Sequence, residues 1–233
     1  MTQKQYATPP IVSATLRARF CEKYSKREFQ KLSKNLEGSM SGFDRIYAFE
    51  LKQRADGTPT YHRKVVGCQY SPSDDETVML THDSIQVKKT GPYQGWENLV
   101  GSFEQALSAI DERDIKFIGA RYDNKVALQV DKDNRIELGE YFNIFLSDDQ
   151  YEGSISLFSY RSYLNILFDE YLPALEVFAT PTDVEGIISF AINIEVDSDK
   201  DGLTSLAEGL GGLRNAKNTV FERLITEKVR ELF

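Results

Sequence analysis

Asp197, Asp199, Asp201, Gly202 and Glu208 occupy positions 1, 3, 5, 6 and 12 of the stretch DSDKDGLTSLAE. Carboxylates that alternate along a tight loop, a glycine at the turn and a closing glutamate suit hard Ca2+, which takes about six to eight oxygen ligands. On that reading Asp197, Asp199, Asp201 and Glu208 are metal ligands. The flanks argue the other way. A helix–loop–helix calcium site lies between two helices, whereas GIISFAINIEV enters this stretch as a strand, and Thr204 leaves position 8 without a large apolar residue. Asp201 or Thr204 can instead cap a terminal helix, whose positive N-terminal end the nearby acids suit. Ca2+ is the one cofactor the chain suggests, and both readings stay open.

Other reactive residues point to less. His62 and His82 fall in predicted strands without a partner at metal-ligand spacing and read as structural or exposed. Gly209-Leu210-Gly211-Gly212 lacks both the preceding strand and the lysine of a phosphate loop, and no nucleophile-elbow or zinc-protease pattern occurs. Acid pairs such as Glu137 with Glu140, or Asp148 with Asp149, fall in turns or on solvent-facing positions and give a two-carboxylate hydrolase no support. Cys21 and Cys68 are too few and too far apart for a disulfide framework or a zinc site, so both read as small buried or half-buried thiols.

Charge and aromatic content give two further candidates. Residues 1–35 hold eight basic and two acidic side chains, a local +6 within a chain of net charge −8. Lys23, Lys26, Arg27 and Lys31 are therefore candidates for a nucleic-acid contact, set against the plainer reading of a solvated helix face. Tyr141, Phe142, Phe145, Tyr151, Phe158, Tyr160 and Tyr163 crowd one region near Arg161. Alternation there puts aromatics on both faces of a sheet, so an outward row including Tyr160, Arg161 and Tyr163 is a candidate partner or ligand surface.

These residues need elements to hold them. After Pro9-Pro10, IVSATLRARF alternates Val12, Ala14, Leu16, Ala18 and Phe20 against Arg17 and Arg19, a strand with one wet face. Ser25 can cap a short basic helix to about Leu36, with Phe29, Leu32 and Leu36 on one stripe. A three-strand antiparallel meander follows. The spacing of Trp96, Leu99, Val100, Phe103, Leu107 and Ile110 predicts a helix over about 95–110. Strands resume with DIKFIGARYDNKVALQV, broken at the turn-like DNK, then EYFNIFLS, GSISLFSYRSYLNILF, LEVFAT and GIISFAINIEV. A terminal helix carries Leu203, Leu206, Leu210, Leu213, Val220 and Leu224 at near-heptad spacing, with a break expected at Gly209, Gly211 and Gly212. The fold class is α+β: a largely antiparallel curved sheet packed on a central helix and a long C-terminal helix. Residues 1–233 read as one compact unit, with an alternative division into two similar halves at 1–112 and 113–233.

Four segments carry a resemblance along the full length. PPIVSATLRARF, PYQGWENLVGSF, GARYDNKV and KNTVFERLITEKVRELF resemble a sporadically distributed family of uncharacterised bacterial proteins. Its pattern falls here on Pro92, Tyr93, Trp96 and Glu97, on Gly119, Arg121, Tyr122 and Asn124, and on Phe221, Ile225 and Thr226. Asp123 stands where that pattern has an apolar residue, and the acidic loop lies outside it. The resemblance implies no activity, but the family's scattered spread implies accessory loci such as antiviral-defence or toxin-antitoxin modules. From the residues themselves, Tyr93 and Trp96 read as a staple into the core, and Arg121, Tyr122 and Asn124 as a hydrogen-bonding cluster or a pocket lining.

Three functional readings follow. The first is a non-enzymatic protein-binding component that uses its sheet face and terminal helix. The second is a small-molecule sensor or enzyme with a pocket between sheet and terminal helix, lined by Arg121, Tyr122, Asn124 and nearby aromatics. The third is a nucleic-acid contact through the basic N-terminal segment. No stretch approaches the roughly 20 apolar residues of a membrane span, and a cytoplasmic location with no membrane partner is expected.

Overall fold

The alternation in IVSATLRARF is realised as strand β1 (Ile11–Phe20), with Ala14, Leu16, Ala18 and Phe20 buried. The structure, a computed structural model, describes residues 6–53, 57, 59–110, 114–133, 135–144, 159–163, 171–180, 182–198 and 205–233. Ser25 caps α1 (Lys26–Ser39) as expected: its side chain accepts from the Glu28 N–H, and the Glu28 carboxylate accepts from the Ser25 N–H in return. The meander is β2 (Asp44–Gln53), β3 (Pro59–Ser73), β4 (Glu76–Thr81) and β5 (Ser84–Thr90), one strand more than the sequence divided it into. Then come α2 (Trp96–Ser108), β6 (Ile115–Gln129), the single turn α3 (Leu138–Tyr141), β7 (Ser159–Tyr163), β8 (Tyr171–Thr180), β9 (Ile187–Ser198), α4 (Leu206–Leu224) and α5 (Glu227–Arg230).

All nine strands join one antiparallel sheet in the order β2-β3-β4-β5-β1-β6-β9-β8-β7. Read outward from its middle, the sheet repeats itself. β1-β5-β4-β3 runs to one side and β6-β9-β8-β7 to the other, with α2 following β5 and α4 following β9. The antiparallel β1–β6 pair at the centre is what a two-fold relation between two such halves requires. The architecture is therefore the α+β sheet on helices that the periodicities indicate, with a topological repeat that residue identities do not reveal.

One face of the sheet carries the core. α2 packs on β5 and β1, and α4 on β9, β8 and β6. Leu16, Val87, Ile118, Ile192, Ile194 and Val196 are fully buried under Leu99, Phe103, Leu213 and Val220. Each such side chain contributes about 1.5–3 kcal/mol relative to exposure, before conformational entropy is set against it.

The opposite face holds a polar cross-strand cluster. Arg17 on β1, Gly119 on β6 and Asp197 on β9 are register neighbours. Arg17 Nη2 donates to both Asp197 carboxylate oxygens at 2.7 Å and lies 2.7 Å from Glu195 Oε1. The side chain crosses directly over Gly119. A Cβ there would stand 2.2 Å from Asp197 Oδ1 and 2.8 Å from Arg17 Nε, so only a glycine leaves room for the ion pair.

Several expectations are corrected. DNK does not interrupt β6. Asp123 accepts from Ser13 Oγ at 2.5 Å and Arg121 Nε at 2.9 Å, and Asn124 Nδ2 donates to Ile192 O at 2.9 Å, so polar residues are tied into the sheet instead of turning the chain. Within EYFNIFLS the described residues form α3 and a single bridge from Phe142 to Ile225, which anchors the end of the chain. The glycines do not break α4. Gly209 is buried, and Gly212 lies so close to Tyr171 that an added Cβ would fall 1.8 Å from its Oη; absence of a side chain is the packing solution here. The helix ends instead at Ile225, extended and fully buried. Cys68 is buried, and burial pushes its thiol up to about 11. Cys21 is exposed, because it follows the last residue of β1 where the alternation stops.

A candidate ligand site between the two long helices

On the helix-bearing face, near the central β1–β6 pair, lies an open cavity of about 520 Å3. Its base is Ile11, Asn124 and Ile194 from β1, β6 and β9. One wall is the approach to α2, Tyr93 to Trp96. The other is one face of α4, Arg214, Lys217, Asn218, Phe221 and Glu222, and the N-terminal segment around Tyr6, Pro9 and Pro10 closes the rim.

Tyr122 organises the interior. It is completely buried. Its hydroxyl is 3.3 Å from that of Tyr93, the Tyr93 ring meets it edge-on at 5.9 Å, and Trp96 stacks near-parallel at 6.5 Å. The Lys217 ammonium sits over the ring, 4.1 Å from its centroid. Burial raises the Tyr122 phenol well above its ordinary range and raises Tyr93 as well, so both are neutral hydroxyls.

Lys217 is the anomalous residue. It is half-buried on the wall of the cavity. It has no hydrogen-bond or ion-pair partner among the described residues; the π face of Tyr122 and the Glu222 carboxylate partly offset its charge. Desolvation first, and then the positive charge of Arg214, push its pKa down to about 7, against a smaller upward pull from Glu222. Glu222 is engaged elsewhere. It accepts from Tyr6 Oη at 2.7 Å and from Arg230 Nε at 3.0 Å, which holds the Tyr6 phenol, already raised by burial, at about 12. Arg214 reaches across to Glu97 in the first turn of α2 at 3.0 Å, an ion pair open to solvent and worth little on its own.

The residues singled out from sequence distribute as follows. Tyr122 packs against Tyr93 and Trp96, and Pro9, Pro10, Ile11, Tyr93, Trp96, Asn124 and Phe221 line the cavity, so all four family-like segments reach it. Arg121 points to the other face of the sheet and bonds to Asp123. Tyr160, Arg161 and Tyr163 lie on β7, the outer strand, three positions from β6 in the sheet. Lys26, Arg27 and Lys31 are exposed along α1, and exposed Lys23 reaches Asp83 at 3.2 Å; none of the four lines the cavity. His82 is structural, stacked on Phe29 at 4.3 Å with Nδ1 3.1 Å from Tyr24 O, and the His62 side chain lies outside the described residues. Among the proposed calcium ligands, Asp197 lies one residue before the end of β9 and holds Arg17, while Glu208 sits in the first turn of α4. The cap of that helix is Ser205, not Asp201 or Thr204: its Oγ accepts from the Glu208 N–H at 3.2 Å. Asp199 and Asp201 lie outside the described residues.

Arg214, Lys217 and Asn218 carry no motif that marks them. A signal was nonetheless present. Positions 210, 213, 217, 220 and 224 continue one heptad stripe as Leu, Leu, Lys, Val, Leu, and a lysine on an apolar stripe must either snorkel out or face a cavity.

Among the described residues no helix is long and apolar enough to cross a membrane. No protein-family model matches the chain, and no curated protein is significantly similar to it.

Proposed function

We propose that the chain is a small-molecule-binding protein with the sensor-type site at the seam between its two topological halves. The observation that supports this most is Lys217, held without a partner inside a cavity whose volume falls in the roughly 300–1,000 Å3 range of ligand sites. Apolar walls with a few converging polar groups are what orient a ligand. The cavity draws on β1 and α2 from one half and on β6, β9 and α4 from the other, so an occupant ties the halves together. A thermal-shift screen of a small-molecule panel tests it. A ligand at a hundred times its Kd adds about 2.7 kcal/mol, which raises Tm by roughly 5–10 °C in a chain of this size. Asn218→Phe, which narrows the cavity from α4, should abolish that gain. A hit whose effect survives the substitution places the site elsewhere.

A second reading, engagement of a partner protein, is favoured by a different part of the sheet. β2 and β3 stay paired out to Gln53 and Pro59, while β4 joins β3 only from Gly67 onward, so the two strands project as a ribbon. Phe49, Leu51 and Tyr61 are 70%, 64% and 73% exposed on it, and Leu51 faces Tyr61 across the pair. A partner in an accessory defence or toxin-control module would be lost on changing all three to Ala, with the melting temperature unchanged. Retention of a co-purifying protein by the triple variant would remove this reading.

A further inference from the structure

The start of α2, at Gly95 and Trp96, borders the same cavity and has no side-chain cap. Gly95, the residue preceding the helix, has φ 99° and offers no side-chain acceptor, whereas Ser25 and Ser205 cap α1 and α4. The backbone N–H groups of Trp96, Glu97 and Asn98 have no acceptor among the described residues. Such an end carries about half a positive charge. Independently, Lys217 lines the cavity from the opposite wall, half-buried and without a hydrogen-bond or ion-pair partner among the described residues, with Arg214 one turn earlier on the same helix. Arg214 is already engaged by Glu97 at 3.0 Å, so Lys217 is the cation of this space without an ion-pair partner among the described residues, and an entering anion would supply one.

We infer that the cavity takes an anionic small molecule, whose phosphate or carboxylate group is held by Lys217 and Arg214 against the open first turn of α2 while its apolar body lies along Trp96 and Phe221. This rests on the cavity being the ligand site. The shape sets the division of labour. A bare oxyanion fills only a small part of about 520 Å3, and the remaining wall combines the apolar surfaces of Trp96, Phe221, Ile11 and Ile194 with the amides of Gln94, Asn124 and Asn218 and the Glu222 carboxylate. The nearby carboxylate does not compete for Lys217, because Glu222 is held by Tyr6 and Arg230.

Occupancy is linked to a proton. Arg214 and Glu222 face Lys217 from its own helix, Tyr93 and Glu97 from the α2 side, Tyr122 from β6 and Tyr6 from the N-terminal segment. The three phenols are held above their ordinary range and stay neutral near pH 7. An anion favours the charged ammonium, so it binds with uptake of a proton and loosens as pH rises through about 7.

Trp96 is the only tryptophan and lines the site, which makes its fluorescence a local probe. Inorganic sulfate, whose charge is constant over the range, is titrated into the full chain at about pH 6 and about pH 9, with sodium chloride of equal ionic strength as control and phenyl phosphate as a second probe. The expected result is a saturable change at pH 6 that weakens at least about tenfold at pH 9 and about tenfold or more in Lys217→Met, the loss of one charge-assisted hydrogen bond. Phenyl phosphate should bind more tightly than sulfate. The pH series needs no variant and stands even where Lys217→Met folds poorly. A response that matches sodium chloride, or a saturable one indifferent to both pH and Lys217, overturns the anion assignment. A neutral compound from the panel that is lost in Asn218→Phe would still leave the ligand-binding reading in place.

Discussion

The Lys217 ammonium lies 4.1 Å from the centre of the Tyr122 ring, on a helix stripe whose other members are Leu210, Leu213, Val220 and Leu224. A cation at such a position destabilises the empty protein. Its folded-state pKa, about 7, is below the ordinary lysine value of 10.5, so between those values the unfolded chain binds more protons and stability rises with pH. The full cost is present below about pH 7 and is gone above about 10.5. Lys217→Met should therefore stabilise the ligand-free protein at neutral pH by about 2 kcal/mol, or roughly 4–8 °C in Tm. It should also flatten the rise of stability from pH 7 to 10. Calorimetry across that range checks both; a destabilised variant with an unchanged pH slope would mean that Lys217 keeps its ordinary pKa and carries its charge in the folded protein without cost.

Gly119 makes the second prediction. Its backbone needs no unusual dihedral, and what it provides is space for the Arg17 side chain on its way to Asp197. Gly119→Ala should push that pair apart and leave Arg17 half-buried over two separated carboxylates, at a cost of about 2–3 kcal/mol. Urea denaturation measures it. An effect under about 0.5 kcal/mol would show that the ion pair moves aside freely.

These two residues also show what the sequence carried and what it hid. Periodicity located β1, α1, α2, β8 and β9 because burial on one face leaves a pattern in every residue. It misread DNK and EYFNIFLS, where the deciding contacts are to distant partners: Asn124 to Ile192, and Phe142 to Ile225. Tyr93, Trp96, Tyr122 and Asn124 stood out by type and spacing, but nothing local says that they meet. Lys217 was overlooked for the opposite reason, since the heptad reading passed over the single position where the pattern failed.

The α4 glycines give a paired test. Gly211 is exposed with nothing within 4 Å of an added Cβ, while Gly212 is pressed against Tyr171. Gly211→Ala should stabilise by about 0.5–1 kcal/mol through helix propensity alone. Gly212→Ala has the same propensity gain but must displace Tyr171, and should destabilise by about 1–3 kcal/mol. Thermal melts of the two variants should shift in opposite directions; equal shifts would mean that α4 does not pack on β8 at this point.

The most direct measurement uses the indole N–H of Trp96, which gives a single signal in a proton–nitrogen correlation spectrum because the chain has one tryptophan. A compound from the panel that raises Tm should move that signal along a saturable curve with the same Kd as its thermal effect, and should do neither in Asn218→Phe. A stabilising compound that leaves the Trp96 indole where it was would contradict the assignment of this cavity as the ligand site.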